Sequence, residues 1–148
     1  MPEKLSPTAR QKSCISLACN YHAVISGLAD IAIEVDAGPE VLTGSTRLKA
    51  GTCQKLILNM ISTAAMVGIG KVYGNYMVDM RATNHKLEER AKRIVMESTQ
   101  CSEKQAVLAL READQSIKTA IVMLLTGASR EEAEKKLYEA KGFVRKCV

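Results

Sequence analysis

The chain has 148 residues, of which 47% are hydrophobic and 25% charged, a composition typical of one soluble globular domain and not of a disordered chain. Its net charge of +5 comes from Lys and Arg interleaved with Glu, and aromatic rings are scarce, so a nucleic-acid partner is not expected. No apolar run is long enough to cross a bilayer, and the polar first ten residues do not form a signal peptide, which predicts a cytoplasmic protein without membrane contact.

The first part of the chain predicts a fragment of a parallel sheet. Residues 1–12 are interpreted as a flexible lead-in. Residues 13–18 and 30–35 are short and mostly apolar, which is typical of strands in a parallel sheet, and residues 21–28 predict a short helical connection between them. Strand, helix and strand in this order indicate part of a doubly wound α/β unit.

A loop rich in Gly and Pro leads into a long apolar helix that we predict over residues 45–67. Thr43 and Ser45 are good N-cap residues for that helix. A helix start has backbone N–H groups without intrahelical partners, and here they would lie beside hydroxyls and the cations Arg47 and Lys49. The pattern predicts an anion site for a phosphate or carboxylate, with Glu40 as the carboxylate at its edge.

The long helix is apolar on nearly every side, which predicts deep burial. Four polar residues recur along it at spacings of three and four and form one stripe, namely Thr52, Lys55, Asn59 and Ser62. The stripe either faces a ligand cavity or a subunit interface, or its short side chains bond back to the helix backbone while the lysine extends to solvent.

The remainder of the chain is predicted to be helical. Residues 73–79 are interpreted as an irregular connection, after which Thr83 or Asn84 caps a helix that ends near Ser98. Three short helices follow. The first begins at a capping box of Ser102 with Gln105, the second at Asp114 or Ser116, and the third at a capping box of Ser129 with Glu132. Gly127 and Gly142 end the second and third. The region also resembles a helix-turn-helix superficially, but its basic residues do not gather on one recognition helix, so DNA binding is not expected.

Cysteine and histidine usage gives no sign of a metal or a disulfide framework. The five cysteines form no CxxC pair and are interpreted as reduced thiols. His22 and His85 lie far apart without ligands at zinc-site spacing, so no metal is expected. Because no Walker or Rossmann loop is present either, we expect no cofactor.

From Gly38 the sequence is GPEVLTGSTRLKAGT, and after Cys53 it continues as QKLILN. This stretch resembles the signature shared by N-acetylmuramic acid 6-phosphate etherases and glucokinase regulatory proteins, two members of the sugar-isomerase (SIS) superfamily of phosphosugar-binding proteins. The resemblance covers the chain from about Ser13 onward, and after Gly70 it favours the etherases over the regulators. It is carried by Cys19-Asn20 and residues 29–34, 70–75, 77–79 and 81–84.

An SIS domain has a five-stranded parallel sheet. The resemblance therefore implies an α/β fold in which residues 13–99 are the C-terminal portion of such a domain, with only its last strands and a long buried helix. Residues 100–148 resemble the three-helix module of ubiquitin-associated type that closes the etherases. The chain as a whole is expected to be predominantly helical.

The resemblance implies an enzyme of the carbon–oxygen lyase class. The family etherases cleave the lactyl ether of N-acetylmuramic acid 6-phosphate, giving N-acetylglucosamine 6-phosphate and D-lactate, with carboxylates as general acid and base. In the family the main acid and base and the phosphate-binding loop come from an earlier part of the domain. The resemblance thus implies that this chain alone lacks them.

The residues that carry over are those of the later wall of the pocket. We expect contacts with the phosphosugar from Glu40, Ser45, Thr46, Arg47 and Lys49, with Glu40 as an auxiliary acid or base or as a hydroxyl acceptor. Each has a structural alternative. Glu40 could satisfy loop amides, the two hydroxyls could cap the helix, Arg47 could form an ion pair, and Lys49 could be a plain surface cation.

Three functional readings stay open at this point. The chain is an etherase part that acts with an N-terminal half in trans, a non-catalytic phosphosugar-binding or regulatory module, or an inactive remnant. The partners expected by resemblance are a phosphorylated amino sugar and either a second copy of the chain or the missing N-terminal half.

Overall fold

The computed structural model describes residues 13–80 and 82–148, so the predicted lead-in lies outside the described residues. The chain divides into two compact units, Met1–Ser62 and Thr63–Val148. It is mixed α/β and mostly helical, as predicted. Within the described part of the chain, none of the helices has both the length and the hydropathy that a membrane span requires.

The first unit contains two short parallel strands, β1 (Ile15–Ala18) and β2 (Ile31–Glu34), with Ile15 opposite Ile31 in the register. A 3-10 helix, Val24–Leu28, connects them, which confirms the predicted order of strand, short helix and strand. The Glu34 carboxylate fixes this connection, because it accepts hydrogen bonds from the Ser26 hydroxyl and from the amides of His22 and Ala23. The Ser26 bond is the main cause of a lowered pKa at Glu34.

The long helix α1 (Lys49–Gly68) differs from the prediction in its start and in its burial. It begins four residues after Ser45, because residues 42–48 form turns whose amides bond locally, as Ser45 N–H does to Leu42 O at 2.9 Å. Only Ala50 of the helix is buried. The expectation of a deeply buried helix is wrong for this chain, since an apolar sequence shows what a helix can bury but not whether a covering layer is present.

In the second unit, the end of α1 is followed by a small antiparallel hairpin, β3 (Val72–Tyr73) and β4 (Tyr76–Met77). The prediction of an irregular connection here is wrong. Gly74 is the first residue of the two-residue loop and has φ = 60°. Tight two-residue hairpin loops require a positive φ at this position, and glycine adopts it readily.

Four helices follow the hairpin: α2 (His85–Thr99), α3 (Glu103–Glu112), α4 (Ile117–Thr126) and α5 (Arg130–Glu139). Their starts confirm the predicted caps, with Asn84 and Ser116 as N-caps and capping boxes at Ser102 and Ser129. The central helix α4 packs against α2, α3 and α5. Its fully buried side chains form the core of the unit with those of α2, of the residue after β4 and of a 3-10 helix, Val144–Lys146: Ile117, Ile121, Val122, Val95, Val78 and Val144.

Loss of the α3 capping box is expected to destabilise the second unit. The Ser102 hydroxyl accepts from Gln105 N–H, and Gln105 Oε1 accepts from Ser102 N–H at 2.9 Å. Ser102→Ala removes the hydroxyl, so the Gln105 amide loses its partner. We expect a loss of about 1 kcal/mol in the free energy of unfolding, measured by urea denaturation. Ser102→Asp keeps a capping oxygen and is the control. Equal stability of the alanine variant and the parent would contradict a stabilising cap.

Candidate functional site

The site residues expected from the sequence lie in the turn that enters α1. Ser45 is half-buried and Thr46 is exposed, so the surface beside both is open to solvent. Gly44 has φ = 80°, and Thr46 N–H donates to Gly44 O at 3.1 Å, which keeps the turn tight. The structure therefore brings these two residues and Arg47 together on one exposed turn.

The Glu40 carboxylate occupies the start of α1. Its two oxygens accept from the backbone amides of Lys49, at 2.9 Å, and Ala50, at 3.0 Å. These two hydrogen bonds, the one from Ala50 first, and the nearby Lys49 ammonium hold the pKa of Glu40 below its ordinary value. Glu40 is thus ionised at neutral pH and is poorly suited to act as a general acid there.

Two sequence-based expectations are corrected by this arrangement. Neither Thr43 nor Ser45 caps the start of α1. The Glu40 carboxylate, nine residues before Lys49, accepts from the first helix amide instead. The first two amides of the helix are also not free for an incoming anion, since an internal carboxylate already accepts from them. In the structure Glu40 accepts from backbone amides, which is the structural alternative named for it above.

The two cations of the turn differ in their contacts. The Lys49 ammonium donates to Pro39 O at 2.9 Å, which ties the loop to the helix start. Arg47 is exposed and forms no ion pair with any described residue. Of the polar stripe on α1, Thr52 bonds back to Leu48 O at 2.8 Å, while Lys55 and Asn59 are exposed. Arg47 is therefore the cation of this turn best placed to meet a solvent-borne anion.

A second charged cluster, in the second unit, was missed by the sequence analysis. Asp79 lies 3.0 Å from the Lys71 ammonium and 3.5 Å from that of Lys118. Partial burial raises the pKa of the Asp79 carboxyl, but the two ammonium groups outweigh it, and the net pKa lies below its ordinary value. No local spacing signals this cluster, because its third member comes from α4. It joins the end of the hairpin to α4.

Acid is expected to weaken this cluster. A carboxyl with a lowered pKa in the folded state stabilises the fold above its ordinary pKa of 3.8, and the contribution is lost as pH falls through the lower, folded value. We expect Asp79→Asn to melt below the parent at neutral pH and the difference in Tm to shrink in strong acid. Thermal melts across that range, followed by circular dichroism, make the comparison. A difference that stays constant into acid would contradict the assignment.

Most of the chain is similar in sequence to known proteins. Residues 74–114 match a family described as the C-terminal lid domain of glucokinase regulatory protein. N-acetylmuramic acid 6-phosphate etherases align along 90% of the chain: it is 61% identical to that of Geobacillus thermodenitrificans over 133 residues and 60% identical to etherase 2 of Lactiplantibacillus plantarum over 134. The chain is similar to the C-terminal part of these etherases.

The extent of the etherase match bears on the candidate site. An alignment of 133 residues in a chain of 148 must include the whole turn before α1. The chain spans a little under half, 45%, of the length of these curated relatives. The etherase from Cutibacterium acnes is 59% identical over 133 residues, and the chain covers 44% of it. The remaining part of each relative has no counterpart in the match.

Proposed function

We propose that the chain supplies the later part of the phosphosugar site of an N-acetylmuramic acid 6-phosphate etherase, a carbon–oxygen lyase. The observation that carries the proposal is an identity of about 60% to curated etherases along 90% of the chain. The reaction would convert the substrate and water into N-acetylglucosamine 6-phosphate and D-lactate, in the recycling of cell-wall amino sugars. All five cysteines are free thiols, in keeping with the cytoplasmic location that we propose.

We further propose that residues 13–99 are the closing portion of an SIS domain and that residues 100–148 are a three-helix module of ubiquitin-associated type. The parallel pairing of β1 with β2 and the long helix after them support the first assignment. Three helices with short, capped connections support the second. The other etherase part would complete the domain, and a second copy of the chain is the other partner that we propose.

The proposed contacts with the phosphosugar are Ser45, Thr46 and Arg47, with Glu40 and Lys49 behind them. Because Glu40 already satisfies the first amides of α1, the phosphate would be held by the two hydroxyls and the Arg47 guanidinium and not by the helix start. A guanidinium can bind two phosphate oxygens at once, which suits the free Arg47.

Glu40 is proposed as an acceptor for a sugar hydroxyl. Each carboxylate oxygen has a second acceptor position beyond its bond to the helix amides. Its lowered pKa keeps it charged, so a proton-donating role in ether cleavage is disfavoured. The main general acid and base would come from the etherase part that the match does not include.

A single-chain chimera tests the proposal. Residues 13–148 would replace the matched part of the Geobacillus thermodenitrificans etherase, and D-lactate release from N-acetylmuramic acid 6-phosphate would be measured. We expect an active chimera, and Arg47→Ala to lower its rate at low substrate roughly tenfold, since a charged hydrogen bond contributes about 1.5 kcal/mol. Arg111→Ala, which removes an exposed arginine of α3, is the matched control.

The outcomes separate the function from the residue assignment. A chimera that folds and melts like the parent etherase but releases no lactate would contradict the etherase proposal. An active chimera in which Arg47→Ala and Arg111→Ala behave alike would contradict only the role of Arg47. Binding of N-acetylglucosamine 6-phosphate without lactate release would favour the regulatory alternative, which has the match of residues 74–114 in its support.

A further inference from the structure

The first unit has almost no interior of its own. Among residues 13–62 only Ser16, Ala18 and Ala50 are buried, and none of them is a large apolar residue. The same unit exposes large apolar side chains on every element, such as Val24 at 82% and Met60 at 62%. Concentrated exposed apolar surface in a soluble protein marks an interface. The second unit, in contrast, encloses a contiguous apolar core.

The exposed side chains of α1 lie on two sides of the helix. At 100° per residue, Leu56 and Met60 project from one side, and Leu58 and Ile61 from the opposite side. Between the two lie the less exposed Cys53 and Ile57. The helix thus presents apolar surface on two flanks, which a single small contact could not cover.

The sheet is exposed in the same way. Ile15 and Ile31 are opposite each other in the parallel register and project from one face, at 49% and 53% exposed. The other face holds the buried Ser16 and Ala18. Parallel sheets are buried on both faces, and two strands alone do not make a stable sheet. We therefore expect further strands to pair with the edges of the β1–β2 sheet and a covering layer to pack on the face of Ile15 and Ile31.

We propose that the exposed apolar side chains of α1 and of the β1–β2 sheet form a docking surface for the N-terminal part of an etherase, the part outside the match. This inference rests on the proposed function and names the partner of that site. The docking surface is defined by Ile15, Ile31, Leu56, Leu58, Met60 and Ile61. It serves equally whether the N-terminal part belongs to the same polypeptide or to another.

The size of the matched relatives selects this occupant over a second copy. A little over half of the Geobacillus thermodenitrificans etherase lies outside the match, enough for further strands and helices. A second copy related by a two-fold axis would pair like edges, and such a pairing is antiparallel, so it would not continue the parallel order of β1 and β2. A distinct polypeptide can add parallel strands and cover α1 together.

The test is co-expression of the whole 148-residue chain with the part of the Geobacillus thermodenitrificans etherase that precedes the match. Complex formation is measured by size-exclusion chromatography with light scattering, without any sugar. We expect a complex with one copy of each polypeptide. Leu58→Asp should weaken it at least tenfold, because a charge would be placed in an apolar contact. Leu108→Asp is the matched control, since Leu58 and Leu108 are exposed to 58% and 56% on helices of different units.

Each outcome decides the proposal. Recovery of the chain without the etherase part would overturn it. A homodimer that excludes the etherase part and is lost in Leu58→Asp would assign the surface to a second copy instead. A complex that Leu58→Asp and Leu108→Asp affect equally would place the contact elsewhere. Because no sugar is present, a failure of docking is distinct from a failure of the single-chain chimera to release lactate, in which the two parts are covalently joined.

Discussion

Replacing Ile121 by Ala is expected to lower the free energy of unfolding of the second unit by about 2–5 kcal/mol. Ile121 lies on α4, is fully buried, and belongs to the apolar core shared with α2, α3 and α5. The substitution removes apolar contacts and leaves a cavity that the surrounding helices can fill only in part. A loss of this size is a large fraction of the stability of a small domain.

Urea denaturation followed by circular dichroism measures the effect, with Ile69→Ala as the matched control. Ile69 lies in the same unit but is 54% exposed, so its truncation should change stability by no more than about 0.5 kcal/mol. If the two alanine variants were equally stable, α4 would not be the centre of the core. A change in the slope of the transition would instead indicate an altered denatured state.

Local signals in the sequence predicted the helical unit well. The capping boxes at Ser102 and Ser129 and the stop at Gly127 each depend on groups within a few residues of one another, so the sequence contains the whole interaction. The αL position after α5 is taken by Lys141 as well as Gly142, with φ of 52° and 82°. Gly142 therefore indicated the end of α5 correctly, but the left-handed conformation there is adopted by two residues and not by Gly142 alone.

The sequence pointed to the residues of the turn before α1 but not to their arrangement. The pattern placed Glu40 at the edge of the helix start, yet it could not show that the carboxylate itself accepts from Lys49 and Ala50, because the geometry of the intervening loop, residues 41–48, decides this. The contact of Asp79 with Lys118 depends on the packing of α4. The burial of α1 was overestimated because an apolar helix needs a partner, and its sequence does not tell which polypeptide provides it.

Substitution of Gly70 by Ala is expected to destabilise the second unit by about 2–4 kcal/mol, from backbone strain and steric overlap together. Gly70 ends α1 in a Schellman motif: its N–H donates to Val67 O, and Lys71 N–H donates to Met66 O at 3.0 Å. Its φ is 71°, which L-residues with a Cβ avoid. A Cβ there would also lie 3.0 Å from the Gly142 carbonyl and from the Phe143 ring.

Gly74→Ala separates the two contributions in the same unit. Gly74 also has a positive φ, 60°, but a Cβ at that position meets nothing within 4 Å. Its substitution should therefore cost only the backbone strain of about 1–2 kcal/mol. Thermal and urea denaturation of both variants give the difference, which isolates the overlap with the segment after α5. Since that overlap involves backbone atoms, relaxation of a flexible side chain cannot relieve it, and equal destabilisation of the two variants would mean that the end of α1 and the residues after α5 are not in contact.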